Sequence, residues 1–209
     1  MKRWILVFLF VLIAFGSSVA LTWADDINQP PWLRFVPDTT YQNWTFSSDA
    51  NPSAPDDGLY NLYGSPAATI TGGTWATNFD QHVGVWTLGA DSSMSLFIPN
   101  TPADVTRHKD IQTQITWEPN GDNAPPVVMI NGIASSPMTS APVGTGNWIQ
   151  STYETRLEFN PASEQVIITG NYHLGEVVVD TQCVPEPSTL ALLAMGAFSL
   201  AAFVRRRRS

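Results

Sequence analysis

Hydrophobic and polar positions along the middle of the chain alternate with period two. In "DIQTQITW", Ile111, Thr113, Ile115 and Trp117 fall on one face and Asp110, Gln112, Gln114 and Thr116 on the other. This is the pattern of a strand with one face in a core and one in water. "IQSTYETRLEF" repeats it, with Ile149, Tyr153, Leu157 and Phe159 set against Gln150, Thr152, Glu154, Arg156 and Glu158. Antiparallel sheets covered on one side produce such alternation. Further strands are expected at "YQNWTFS" near 41–47, "AATIT" near 67–71, "HVGVWTL" near 82–88, "SMSLFI" near 93–98, "PVVMING" near 126–132, "EQVIITG" near 164–170 and "EVVVDT" near 176–181. No helical period separates these runs. The breaks are Pro, Gly, Asn and Asp clusters: "NPSAPDDG", "EPNGDNAPP" and "SSPMTSAPVGTG". The pattern predicts an all-β domain over 25–182, an antiparallel β-sandwich of jelly-roll-like form, with "DDINQPPWLRF" as its extended lead-in.

Apolar runs at the two ends follow a different rule. Lys2 and Arg3 precede an apolar run from Trp4 to Phe15, and small residues follow at Gly16, Ser17, Ser18 and Ala20. Residues 1–24 thus read as a secretory signal peptide, with cleavage after Ala20 favoured over Ala24. At the other end, residues 188–204 are uncharged and would rise about 25 Å as a helix, just short of a hydrocarbon core of about 30 Å. Arg205, Arg206, Arg207 and Arg208 form a positive block expected to stay cytoplasmic, leaving the domain outside. Before the span stand Pro185, Glu186 and Pro187, whose two prolines oppose helix formation and favour an extended, unpaired peptide.

A Pro-Glu-Pro trio, a short apolar span and a terminal arginine cluster, in that order over 184–209, resemble the PEP-CTERM sorting signal of Gram-negative bacteria. The resemblance implies that Pro185, Glu186 and Pro187 are recognition residues and Arg205 to Arg208 a stop signal. It implies processing by an exosortase, a membrane-embedded cysteine enzyme that acts near the motif. This chain would be the substrate, exported through the inner membrane and anchored by its tail until processed, then placed at the cell surface or in an extracellular matrix linked to exopolysaccharide and biofilm. The run "YQNWTFSSDANPSAPDDGLYNLYGSPAATITG" is also similar to openings of PEP-CTERM proteins, and this likeness implies no activity.

Charge and chemistry narrow the reading of the domain. All acidic residues but Glu186 lie within 25–184, where the only basic residues are Arg34, Arg107, Lys109 and Arg156. No cationic stripe exists to neutralise phosphates, which argues against nucleic-acid binding. Cys183 is the only cysteine, so neither an intrachain disulfide nor a cysteine-based zinc site can form, and its place beside the tail reads as an incidental thiol. His82, His108 and His173 lack metalloprotease spacing. The pairs Glu154/Glu158 and Glu176/Asp180, four apart on strands, are about 13 Å apart, beyond the roughly 5–10 Å of glycoside hydrolysis. The domain is therefore expected to be non-catalytic.

Two candidate sites remain. Asp49, Asn51, Asp56 and Asp57 gather oxygen ligands of the kind calcium takes within "SDANPSAPDDG", against the plainer reading of turn residues. Among the aromatics, Trp44 and Trp117 alternate with apolar residues and read as core. Trp148 shares the polar face of Gln150 and Glu154, while Tyr60 and Tyr63 sit in a turn-rich segment. Exposed rings beside amides and carboxylates would make a platform for sugar. Two functions follow: a matrix or surface protein whose sandwich binds exopolysaccharide, or a structural and adhesive protein that contacts other proteins without sugar.

Overall fold

A computed structural model describes residues 26–80, 82–121, 123–186 and 192–198. Every segment with clear alternation forms a strand, and short edge pieces bring the total among described residues to 13. In chain order they are β1 (Thr39–Trp44), β2 (Gly58–Tyr60), β3 (Ala67–Thr71), β4 (Thr74–Phe79), β5 (His82–Leu88), β6 (Ser93–Pro99), β7 (Arg107–Pro119), β8 (Val127–Ile130), β9 (Ile133–Ser135), β10 (Pro137–Pro142), β11 (Ile149–Leu157), β12 (Ser163–Thr169) and β13 (Tyr172–Pro185). All pairings are antiparallel. The larger sheet runs β10-β11-β7-β13-β1-β2, with the β4–β5 hairpin joined through β13, and the smaller runs β3-β6-β12-β8-β9. The chain is an all-β antiparallel sandwich.

The core lies where the two inner faces meet. Trp44, Ile111, Ile115, Trp117, Tyr153, Val177 and Val179 of the larger sheet pack with Met94, Leu96, Ile98, Val128, Ile130, Val166 and Ile168 of the smaller. The alternation in β7 thus sends its odd-numbered residues inward, as expected. Burying these large side chains supplies about 1.5–3 kcal/mol each before entropy is counted, so the sandwich holds by packing without a disulfide.

The strands absent from the sequence reading are edge pieces. β10 lies in the "SSPMTSAPVGTG" break, with prolines at both ends and a mostly exposed surface, as suits an edge strand. β9 follows β8 through Asn131-Gly132, both at positive φ (48° and 81°), the two-residue turn that matches strand twist. Gly84 in β5 has φ 76°, and a Cβ there would collide with the Phe46 carbonyl, so only glycine fits. β11 stops at Leu157, leaving Phe159 about half exposed rather than in the core.

The outer face of the larger sheet departs from expectation. Gln112, Gln114 and Thr116 of β7 are buried rather than wet. The lead-in, residues 26–36, forms a strap across this face. The Asn28 amide N donates to Gln114 Oε1 (3.0 Å), and its Nδ2 reaches Thr152 (2.8 Å) and Thr139 (3.3 Å). Gln114 Nε2 donates to Asp26 Oδ1 at 2.5 Å. Farther along, Arg34 donates to Asp26 and, in a two-pronged contact of 2.6 and 2.7 Å, to Asp180, with its guanidinium 4.5 Å from the Tyr41 ring centre. The polar strap thus meets Gln114, Thr139, Thr152 and Asp180 of this face with polar partners.

Of the two end segments, residues 1–24 lie outside the described residues, and so does most of the expected 188–204 span. Residues 192–198 are helical and exposed. Among the described residues no helix is long and apolar enough to cross a membrane.

Candidate functional site

The predicted calcium loop does not assemble as a metal site. Asp56 accepts the Thr45 amide at Oδ1 (2.7 Å) and the Ser47 amide at Oδ2 (2.6 Å), which closes the chain after β1. Asp57 accepts from Asn43 Nδ2 (3.1 Å), and Asn51 exchanges two hydrogen bonds with the Ile70 backbone (2.7 and 2.9 Å). Asp49 is exposed. Oxygens committed to backbone N–H groups serve as turn caps, and no group of three or more His, Cys, Asp or Glu among the described residues could hold a metal.

Nor do the predicted sugar-platform residues form one surface. Trp148 does share a face with Gln150 and Glu154, but it is wholly buried. Its ring rests on Gly175, where an added Cβ would come within 2.9 Å of it, and His82 covers it at a ring separation of 3.9 Å. Val85, Val143 and Phe79 complete a second, smaller core on the outside of the sheet. Gln150 is buried too. Tyr60 is half-buried and meets Phe35 edge-on, and the Tyr63 hydroxyl accepts the Asp38 amide (3.3 Å). The histidines are absorbed too: His173 stacks on Phe79 at 3.9 Å and bonds Thr87 (2.9 Å), while His108 faces Asp110. Glu154 alone of the five remains exposed, taking a hydrogen bond from Gln112 (3.3 Å).

Glu154 leads to the site that the sequence reading missed. Beside the strap at Pro31 and Trp32, an open cleft of about 590 Å³ is lined by Pro31, Trp32, Asp110, Met138, Glu154, Arg156 and Gln182 among others. A second groove of about 410 Å³, lined by Ile27, Asn28, Pro31, Met138, Thr139 and Glu154 among others, adjoins it and shares Pro31, Met138 and Glu154. Trp32 is half-buried, and its Nε1 has no protein partner. Across the cleft, Arg156 Nε and Nη2 grip Asp110 at 2.7 and 3.1 Å, holding the guanidinium planar against the carboxylate. This arrangement follows from register: Arg156 of β11 lies opposite Asp110 of β7, which lies opposite Gln182 of β13, so even-numbered residues of three strands share one row. An aromatic ring, fixed acceptors and a fixed fork of donors can together hold a hydroxylated, flat-faced ligand.

Electrostatically, the cleft has no free cation among the described residues. Arg34, Arg107, Lys109 and Arg156 are each paired with a carboxylate: Asp26 and Asp180, Asp38, Glu164, and Asp110 respectively. Burial pushes Asp180 up to about 6, against the attraction of Arg34. For Arg34, burial works against the charge, and the hydrogen bonds to Asp26 and Asp180 overcome it and raise its proton affinity.

At the tail, β13 continues to Pro185, which pairs with Arg107, and the Glu186 amide donates to the Thr106 carbonyl at 3.2 Å. The first two residues of the trio are extended, as expected, but they are docked on the sheet rather than unpaired. Cys183 is likewise a buried strand residue rather than a thiol in a loose tail.

Among solved structures the chain is similar to a family 35 carbohydrate binding module from Clostridium thermocellum, at 16% identity and TM-score 0.38, over 56% of this chain and 98% of that one. It is also similar to the Podospora anserina GH26-CBM35 β-(1,4)-mannanase (15%, 0.40, over 58% of this chain and 28% of that one). A third is an exo-β-1,3-galactanase from Phanerochaete chrysosporium (17%, 0.34, over 54% and 26%). No curated protein matches the chain. Residues 184–208 match the family described as the PEP-CTERM protein-sorting motif, so the chain ends in a PEP-CTERM sorting signal.

Proposed function

We propose that this is an exported, non-catalytic surface or matrix protein, sorted by an exosortase-type enzyme, whose sandwich binds polysaccharide weakly in the Trp32 cleft. The observation that carries the binding reading is the juxtaposition of the half-buried Trp32 ring with the Asp110–Arg156 pair, Glu154 and Gln182 around one open cleft. A sugar ring offers a hydrophobic face to stack on indole and equatorial hydroxyls for the paired donors and acceptors. With no unpaired cation and a strongly acidic surface, the cleft suits neutral glycans; uronate-rich chains would be repelled unless divalent ions bridge them. The alternative, a structural and adhesive protein, is favoured by the burial of Trp148 and the internal use of Tyr63.

Affinity electrophoresis through the host's exopolysaccharide and through neutral glycans, with and without calcium, separates the two. Retardation should weaken about tenfold, ~1.4 kcal/mol, in Trp32→Ala while the melting temperature stays close to wild type. Equal mobility with and without polysaccharide, in every condition, would leave the structural reading standing.

A further inference from the structure

The sandwich interior holds a charged cluster that neither sorting nor the cleft uses. Lys109 on β7 and Glu164 on β12 face each other from opposite sheets, each with 0% of its side chain exposed. Lys109 Nζ donates to Asn100 Oδ1 at 2.7 Å, and lies 3.4 Å from Glu164 Oε1 and 3.3 Å from Cys183 Sγ. Asn100, the residue after β6, is fixed from its other side: its Nδ2 donates to the Pro161 carbonyl (3.2 Å) and its backbone N to the Ala162 carbonyl (2.9 Å). Cys183 Sγ donates to Asn160 Oδ1 at 3.0 Å. Neither carboxylate oxygen of Glu164 has a hydrogen bond of normal geometry.

A buried ion pair serves stability only when hydrogen bonds also satisfy its remaining lone pairs, and here they do not. The cluster contains instead the reactants of an amide exchange: a primary amine, a carboxamide fixed on both sides, and a carboxyl that can move a proton between them. Burial raises the proton affinity of Glu164, and Lys109 and Asn100 offset only part of that. Nζ attacks as the free amine, and Glu164, 3.4 Å away, is placed to take its ammonium proton and to donate it again as the acid.

We propose that Lys109 and Asn100 close an intramolecular isopeptide bond, with Glu164 relaying the proton. Nζ attacks Cγ of Asn100 while Glu164 donates to Oδ1; Glu164 then takes a proton from Nζ, passes it to Nδ2, and regains its own from Oδ1 as the C=O re-forms. The Nζ–Cγ bond forms and the Cγ–Nδ2 bond breaks. Nδ2 leaves as ammonia, its third hydrogen being the one lost from Nζ. Amine and primary amide become secondary amide and ammonia, with no oxidant or co-reactant. The dry surroundings protect the product from hydrolysis, and the slight exposure of Asn100, 6%, places the departing ammonia at the rim of the sandwich. The bond would tie β7 of the larger sheet to the end of β6 in the smaller. It would do so beside the end of β13, where the chain continues into its sorting signal, the point at which an anchored surface protein bears load.

The test is a peptide map of the full chain, purified folded in detergent and digested with trypsin. A bonded Lys109 is no longer a trypsin site. The peptide ending at Arg107, which contains Asn100, should therefore remain joined to the one beginning at His108, lighter than their sum by about 17 Da, one ammonia. Glu164→Gln, which keeps the shape but cannot relay a proton, should lower the yield of joined peptide at least about tenfold, and Lys109→Met should abolish it. If the variants do not fold, the wild type decides alone. Cleavage at Lys109 with an unmodified Asn100 in folded protein overturns the proposal; so does a link from Lys109 to Glu164, lighter by about 18 Da, or one from Lys109 to Cys183.

Discussion

Trp148 shows how one residue can lie on the polar face of a strand and still be core. Its ring fills the space above Gly175, under His82, Phe79 and Val85, so its removal leaves a cavity rather than an empty binding face. Trp148→Ala should cost about 3–5 kcal/mol, read as a fall in the urea midpoint at unchanged slope. A loss of glycan affinity with unaltered stability would instead return Trp148 to the surface. The alternation of β11 was legible, because Gln150 and Glu154 do share the Trp148 face. What hid the outcome was a partner about 65 residues upstream, the β4–β5 hairpin, and no local pattern announces that a distant hairpin will cover a face. The same limit applies to Trp32, which reads as lead-in and becomes cleft lining only because the strap crosses the sheet. Lys109 and Glu164 are different: Lys109 is in phase with Ile111 and Ile115, and Glu164 with Val166 and Ile168, so their inward direction is written in the period-two pattern itself.

Among the elements, β13 joins fold and sorting. It is the central strand, paired with β7 along nearly its whole length and with β1 and β5 on its other edge, and it ends on the first proline of the motif. Its apolar middle, "EVVVDT", was plain in the sequence, whereas both extensions were not: the Gly175 bulge that lets Tyr172–Leu174 pair with two partners, and the rung at Pro185. Proline can occupy that rung because its missing N–H shares the side of the Cys183 amide, which donates to Asp38 before β1, while the Glu186 amide on the β7 side still donates to Thr106. An enzyme that recognises the motif must therefore meet its first two residues, Pro185 and Glu186, against the Thr106–Arg107 corner of the domain. Replacing the three by alanine should leave export intact while the protein accumulates as an uncut, membrane-held precursor. Fractionation of a native host measures this, and identical mature mass and location for both forms would sink the sorting reading.

For the whole molecule, the strap closes over the polar face of the larger sheet through hydrogen bonds and the Arg34 ion pairs. Arg34 is its pin, gripping Asp180 on β13 and Asp26 within the strap itself. Asp180 lies deep enough that burial outweighs its attraction to Arg34 and pushes its pKa up to about 6, from an ordinary value of 3.8. The direction of the pH effect follows. Below about pH 4 the group is protonated in the folded and unfolded chain alike, and its full relative contribution to stability is present. Between about pH 4 and 6 the folded chain keeps the proton while the unfolded chain releases it, so folding binds a proton and stability falls as pH rises. Above about pH 6 that contribution is gone. The two-unit displacement corresponds to roughly 2–3 kcal/mol across the window. Asp180→Asn cannot titrate, so the wild-type curve of unfolding free energy against pH should descend relative to the variant's by about that amount between pH ~4 and ~7, with Arg34 still held by Asp26 in both. Urea denaturation at a series of pH values reads it directly, and parallel curves for the two proteins would show that Arg34 holds Asp180 ionised throughout.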